Sequence, residues 1–326
     1  MDKDIIMDAG YFLTHSGLLA ERADELLQLQ QTCIQHLSAF PPCLQRAGEL
    51  TLQRLAGYWQ GIDWIQPFVL SAVWFIPQAS RQKIALANAL IAMYAHIQRE
   101  SLDNVSRQDN DLLPLGSLMY TRSLRQYQQL FPAESHFWQL LEGYYLEWTE
   151  AVLWERQRKW GAVKRYSRED ALRLAGMRAL LKIGSAAVSL LAGKQRFIMP
   201  LSSALDQVHV AIQLADGIIN WREDLRARRA TYFLTEIALA LNTRGMAGLG
   251  RVDIESFLQT SSLAAKSTKR ALGHLSAAKK ITARLDAPAL VGYIENLNTI
   301  LREIPRRSGY GLFNSHAVLE HTPATV

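Results

Sequence analysis

The sequence lacks any run of about 18 uninterrupted apolar residues, so no transmembrane segment is expected. Its start, MDKDIIMDAG, carries acids early and has no long apolar core followed by small residues, which argues against a secretory signal. Two cysteines, Cys33 and Cys43, are too few for a disulfide framework, and no Cys/His cluster has zinc spacing. A reducing, cytoplasmic setting is therefore expected. Period-two strand alternation, internal repeats and low-complexity linkers are missing as well. So are the Glu-x-x-His pairs that a di-iron helical bundle needs. The net charge is +6 with a pI near 9.3, but the basic residues are dispersed and form no recognisable nucleic-acid motif. No nucleic-acid partner is expected, and an anionic small substrate accounts for part of the excess equally well.

What is present is helical periodicity. With 49% hydrophobic residues in 326, the chain can bury one large core. Apolar positions recur at helical spacing over 11–38, about 44–59, 80–104, from after Pro132 to about 160, 168–192, and from about 201 through the motif described next. Further runs lie near 232–242, 253–283 and 286–304. The economical reading is a single all-α domain over residues 1–326, with 1–10 and 311–326 as mobile ends.

The densest chemistry lies in HVAIQLADGIINWREDLRARRATYF, residues 209–233. Asp216, Asn220 and Asp224 are spaced i, i+4, i+8, which places three oxygen-bearing side chains on one helical stripe about 12 Å long. Val210, Ile212, Leu214, Ile218 and Ile219 occupy the other side and can enter a core. Oxygen donors alone suit a hard divalent cation such as Mg²⁺. Arg222, Arg226, Arg228 and Arg229 follow, an order that suits a metal-bound, multiply charged anion such as a diphosphate. Taken on its own, the stretch also fits a solvated amphipathic helix with an Asp224–Arg228 pair. Upstream, Glu100 and Asp103 are i, i+3 neighbours with Asn104 next in line, at the end of an apolar-faced helix. A capped helix end with solvated acids is the plainer alternative there.

The triad resembles the second metal motif of class I isoprenoid synthases, in which Asn or Asp, Ser or Thr, and Glu stand at this spacing. Gln213 and Arg229-Ala-Thr231-Tyr232 resemble the Gln and the Lys-x-Thr-Tyr segment that flank that motif in chain-elongating members. Gly217 departs from their paired Asp and looks more like the cyclases. ESLDN, residues 100–104, resembles the DxxDN variant of the first Asp-rich motif in some bacterial large-terpene synthases. Arg107 stands where a further acid would follow, with Asp109 and Asp111 nearby in the loop. The resemblance implies metal ligands at Glu100, Asp103, Asn104, Asp216, Asn220 and Asp224. It implies diphosphate contacts at Arg178 and Lys182, where those synthases break a helix (here beside the Gly184-Ser185 pair), and at Arg229. It also implies an Arg-Tyr closure at Arg307 and Tyr310.

In motif style the chain is closest to bacterial terpene synthases. The resemblance thus implies a Mg²⁺-dependent cyclase that ionises a prenyl diphosphate, with no organic cofactor and with a homodimer as one assembly open to it. The alternatives are chain elongation, head-to-head coupling, and a non-catalytic partner subunit of such an enzyme. Elongation is disfavoured because the Gly-Gly-Lys-x-x-Arg-Pro segment that gathers the second diphosphate is absent and neither acid motif is an intact DDxxD. Trp74, Phe75, Tyr94 and Trp148 are candidates for a carbocation cavity, since π faces stabilise cations without offering a base. Aromatics at helical spacing are equally what a packed core uses.

Overall fold

A computed structural model describes residues 23–57, 67, 68, 70, 74–103, 112–158, 160, 161, 163–285 and 287–307. Thirteen α-helices and no strand occur among these residues. They are α1 Ala23–Leu37, α2 Pro42–Gly57, α3 Gln78–Asp103, α4 Leu113–Gln128, α5 His136–Gln157, α6 Arg168–Gly176 and α7 Ile183–Leu191. Then follow α8 Ile198–Ile219, α9 Trp221–Arg226, α10 Tyr232–Ala240, α11 Arg251–Thr260, α12 Leu263–Thr282 and α13 Pro288–Arg307.

Two long helices organise the packing. In α3 every residue from Ile84 to Tyr94 is buried, so this stretch is covered on all sides rather than on one face. In α8 the same holds from Val208 to Ile212. α4 lies along α3, and α12 lies along α8. One connected apolar core runs through the described residues. At about 25 cal/mol per Å² of apolar surface, that burial is the main force holding the helices together.

α4 escapes the periodic reading, which passes over residues 115–131. Its signals are local: a proline in the first turn, where a missing N–H costs nothing, and Leu115, Met119, Ser123 and Tyr127 buried at a strict spacing of four. The Ser123 hydroxyl donates to the Ala87 carbonyl at 2.9 Å, tying α4 to α3. Helix starts are otherwise well marked. The Ser135 hydroxyl accepts from the Phe137 N–H at 3.2 Å, and Ser167 with Asp170 closes a reciprocal capping box.

The stretch expected as one helix over 168–192 is broken. α6 ends at Gly176, a 3₁₀ turn spans Ala179–Lys182, and the following segment departs at 63°. The break falls at Met177–Arg178, not at Gly184-Ser185. Those two residues serve a different need. A Cβ on Gly184 would stand 2.8 Å from Cγ of the buried Asn88, so glycine lets α7 press onto α3. Gly176 does the same against α5, where a Cβ would stand 2.8 Å from the Cβ of Ala151. Gly184→Ala is therefore expected to destabilise by about 1–3 kcal/mol. An unchanged melting temperature would contradict the close approach.

No single helix among the described residues is long and apolar enough to cross a membrane.

Candidate active site

The triad sits where α8 gives way to α9. Asn220 is the junction, with φ −99° and ψ 13°, yet the helical hydrogen bonds continue through it. Its N–H donates to the Asp216 carbonyl at 2.8 Å, and the Asp224 N–H donates to the Asn220 carbonyl at 3.0 Å. The three side chains thus keep their common stripe. The Asn220 amide also donates to Asp216 Oδ1 at 2.8 Å, which leaves its own oxygen for a cation.

After Asp224 the chain turns back on itself. The Arg229 N–H donates to the Asp224 carbonyl at 2.8 Å and the Arg228 N–H to the Leu225 carbonyl at 3.2 Å, a Schellman motif with Arg228 left-handed at φ 55°. This turn, not helical spacing, decides which arginine meets the acid. Arg229 comes to 3.8 Å from Asp224, whereas Arg228 is exposed. The Asp224–Arg228 pair of the plainer reading does not form. Arg222 is engaged by Glu255 at 3.0 Å, and Arg226 is exposed, so only Arg229 of the four approaches the triad. The turn is braced on two sides. The Tyr166 hydroxyl donates to the Ala230 carbonyl at 2.9 Å, and Arg270 donates to the Tyr232 hydroxyl at 2.9 Å. Thr231 caps α10.

Both acids are poorly compensated. Burial raises the Asp216 carboxyl above its usual range, opposed by the charges of Arg178 and Arg99 and by the Asn220 hydrogen bond. Asp216 keeps partial access to solvent. Asp224, only 6% exposed, is pushed up to about 7 by burial and then by the Asp216 charge, against Arg229 and Arg99. Two carboxylates with raised proton affinity and an amide oxygen fit a divalent cation, which would supply the missing positive charge. No cluster of three or more His, Cys, Asp or Glu side chains is gathered among the described residues.

Near the end of α3, Arg99 acts electrostatically on both Asp216 and Asp224. Glu100 is partly exposed on the same last turns. The side chain of Asp103, all of Asn104, the side chain of Arg307 and all of Tyr310 lie outside the described residues. Two further residues were not expected from sequence. Arg99 also pairs with Glu155 of α5 at 3.4 Å. His96 is held down at about 4 by burial and by Arg99, Arg54 and Arg229, so it is neutral at pH 7. The signal was there in part: His96, Arg99 and Asp103 are spaced i, i+3, i+7 on one face.

Arg178 is within electrostatic reach of Asp216. Lys182 is not available for that role. Its side chain is 2% exposed, and its ammonium donates to both oxygens of Glu147 and to Asp206, each at 2.8 Å. Asp206 precedes Asp216 by ten residues on α8, about 15 Å down the helix.

Below the end of α3, Tyr94 meets three rings from neighbouring helices. Its centroid is 4.9 Å from Tyr120, 6.3 Å from Tyr145 and 5.9 Å from Trp148, and its hydroxyl bonds that of Tyr145 at 2.5 Å. Tyr94 lies six residues, about 9 Å, before Glu100. Trp74 and Phe75 take no part. They precede the far end of α3, where Trp74 stacks on Phe197 and Phe75 is 92% exposed.

No protein-family model matches the sequence, and no curated protein matches it either. Solved structures do. The decaprenyl diphosphate synthase of Rhodobacter capsulatus is 14% identical with a TM-score of 0.68, over 90% of this chain and 99% of its own. The polyprenyl synthase of Caulobacter crescentus, solved with calcium and isoprenyl diphosphate, is 15% identical with a TM-score of 0.69, over 89% and 97%. The geranylgeranyl pyrophosphate synthetase of the archaeon Geoglobus acetivorans is 14% identical with a TM-score of 0.68, over 87% and 99%. This chain has the class I isoprenoid synthase fold. At such identities the likeness is one of fold.

Proposed function

We propose that the chain is a metal-dependent prenyltransferase that ionises an allylic prenyl diphosphate and joins it to a second isoprenoid diphosphate. The observation that carries this reading is the meeting of Asp216, Asn220 and Asp224 with cations from separate elements: Arg99 of α3, Arg178 beside the break, and Arg229 of the Schellman turn. Mg²⁺ bound at the triad would offset the charge that develops on the departing diphosphate. Arg178 and Arg229 would orient that diphosphate and share its charge. Tyr94, Tyr120, Tyr145 and Trp148 would wall the prenyl tail and face the cation with π surfaces, keeping water out.

Two considerations move the reading from cyclisation to transfer. The solved structures of this fold named above are chain-elongating synthases. Transfer also needs a second anion held beside the first. Arg54 of α2, Arg99 of α3 and Arg229 each act electrostatically on His96 of α3. This group takes no Gly-Gly-Lys-x-x-Arg-Pro segment to assemble, so the missing segment weighs less than sequence alone suggested. Cyclisation stays as the second reading on account of Gly217 and the incomplete first motif.

The test is incubation with C10 to C25 prenyl diphosphates, with and without Mg²⁺ and isopentenyl diphosphate. Label from isopentenyl diphosphate is expected in a longer prenyl diphosphate, only with metal. A hydrocarbon or terpene alcohol formed from the allylic substrate alone would restore the cyclase, and no reaction under any condition would defeat both.

A further inference from the structure

The cluster around Lys182 has no part in that chemistry, yet it stands at the far end of the same 3₁₀ turn that begins at Arg178. We infer that Lys182 is a positioning residue: clamped by Glu147 and Asp206, it fixes the bent turn and thereby sets Arg178 against Asp216. The inference rests on the reading of Arg178 as a diphosphate contact.

A break in a helix gives up the ladder that would otherwise hold its residues in place. Here Arg178 has φ −120° and ψ 11°, outside helical values. Something else must fix the turn, and three contacts do. Gly176 is pressed on α5 before the break, and Gly184 on α3 after it. Between them Lys182 donates to Glu147 of α5 and Asp206 of α8 at 2.8 Å, with its ammonium 5.0 Å from the Tyr144 ring centre. α8 is the common rail, since it carries Asp206 and, about 15 Å further on, Asp216. The 3₁₀ turn sets Arg178 about 8 Å from Lys182 at roughly 2 Å per residue, and Arg178 acts electrostatically on Asp216. For stability alone a packed methionine would serve, because burying an ammonium carries a desolvation penalty that a thioether avoids. Three directed hydrogen bonds supply what an apolar residue cannot: a fixed register between the turn and α8.

The test uses the full chain in two clamp variants. Glu147→Gln touches a carboxylate whose side chain is 40% exposed, and it leaves Asp206 to neutralise the lysine. The second variant, Lys182→Met with Glu147→Gln and Asp206→Asn, removes all three charges together. Each is made with and without Arg178→Gln. Readouts are hydrogen exchange over 177–183, affinity for inorganic diphosphate with Mg²⁺, and kcat and KM for an allylic diphosphate. Glu147→Gln, which keeps the fold testable if the triple variant does not fold, is expected to speed exchange in that segment. Either variant should weaken diphosphate binding about tenfold and raise KM more than it lowers kcat, and should add nothing further once Arg178 is Gln. Unchanged exchange, or losses that add to those of Arg178→Gln, would overturn the clamp while wild-type binding stands. Wild-type protein that does not bind diphosphate would instead overturn the reading of the site, and with it the role of Arg178.

Discussion

Asp224→Asn is expected to cut turnover by about a thousandfold or more while making the metal-free protein more stable above pH 7. The activity half follows from the chemistry. The substitution keeps size and one oxygen but removes a negative charge from the cation site, and losing a main transition-state electrostatic contact costs about 3–4 kcal/mol. The stability half follows from linkage. In the folded protein Asp224 titrates near 7, against an ordinary value near 3.8. Between those values the folded state holds a proton that the unfolded chain has released, so stability falls as pH rises from about 4 to about 7 and levels off above. Three units correspond to at most about 4 kcal/mol, which asparagine does not incur. The melting temperature of metal-free Asp224→Asn at pH 8 should therefore exceed that of wild type by on the order of 5 °C. The two should converge near pH 4, where Asp224 is neutral in the native protein as well. Because Asp216 contributes to the shift, the pair titrates together, and the upper step is the one that matters. The same titration governs metal binding: in wild type, affinity for Mg²⁺ should rise with pH through about 7 as the proton leaves. An Asp224→Asn protein with wild-type turnover would falsify the metal site.

The fold was legible because its signals are redundant. α3 and α8 announce themselves by apolar content around the whole helix, and Ser135 and Ser167 mark starts that any reading of caps finds. α4 was missed because its buried face is only five residues, two of them Gly116 and Ser123. The break at Met177–Arg178 was misplaced because Gly184-Ser185 looks like a hinge. There the glycine answers to Asn88 of another helix, a contact that spacing along one helix does not encode. The same limit explains the site. Asp216, Asn220 and Asp224 lie on one element, and a period of four suffices to find them. Which of four arginines returns to Asp224 depends on the left-handed Arg228, and Lys182 became a supposed diphosphate contact because its partners, Glu147 and Asp206, are 35 and 24 residues away. Arg99 was overlooked for the same reason: the acids it acts on lie on other helices.

That residue carries the second large expectation. Arg99→Gln should lower kcat/KM by about a hundredfold or more, because it removes a cation that acts on both Asp216 and Asp224 and also flanks His96. Glu155→Gln is the control. Its pair with Arg99 is about one-third exposed on each side, so losing it should cost little on its own. The substitution also has an electrostatic signature that loss of packing would not produce. Arg99 holds Asp216 and Asp224 down and helps hold His96 down. Without it all three should titrate at higher pH in the metal-free protein: the carboxylates lose a favourable neighbour, and the imidazolium loses a repulsive one. For His96 this is a rise from about 4 towards the ordinary value near 6.5, followed by the ring proton resonances in a pH titration. The two readouts are joined through one charge. A variant that lost activity with all three titrations unmoved would place Arg99 outside the cleft, and one that moved the titrations with activity intact would leave it a bystander to catalysis.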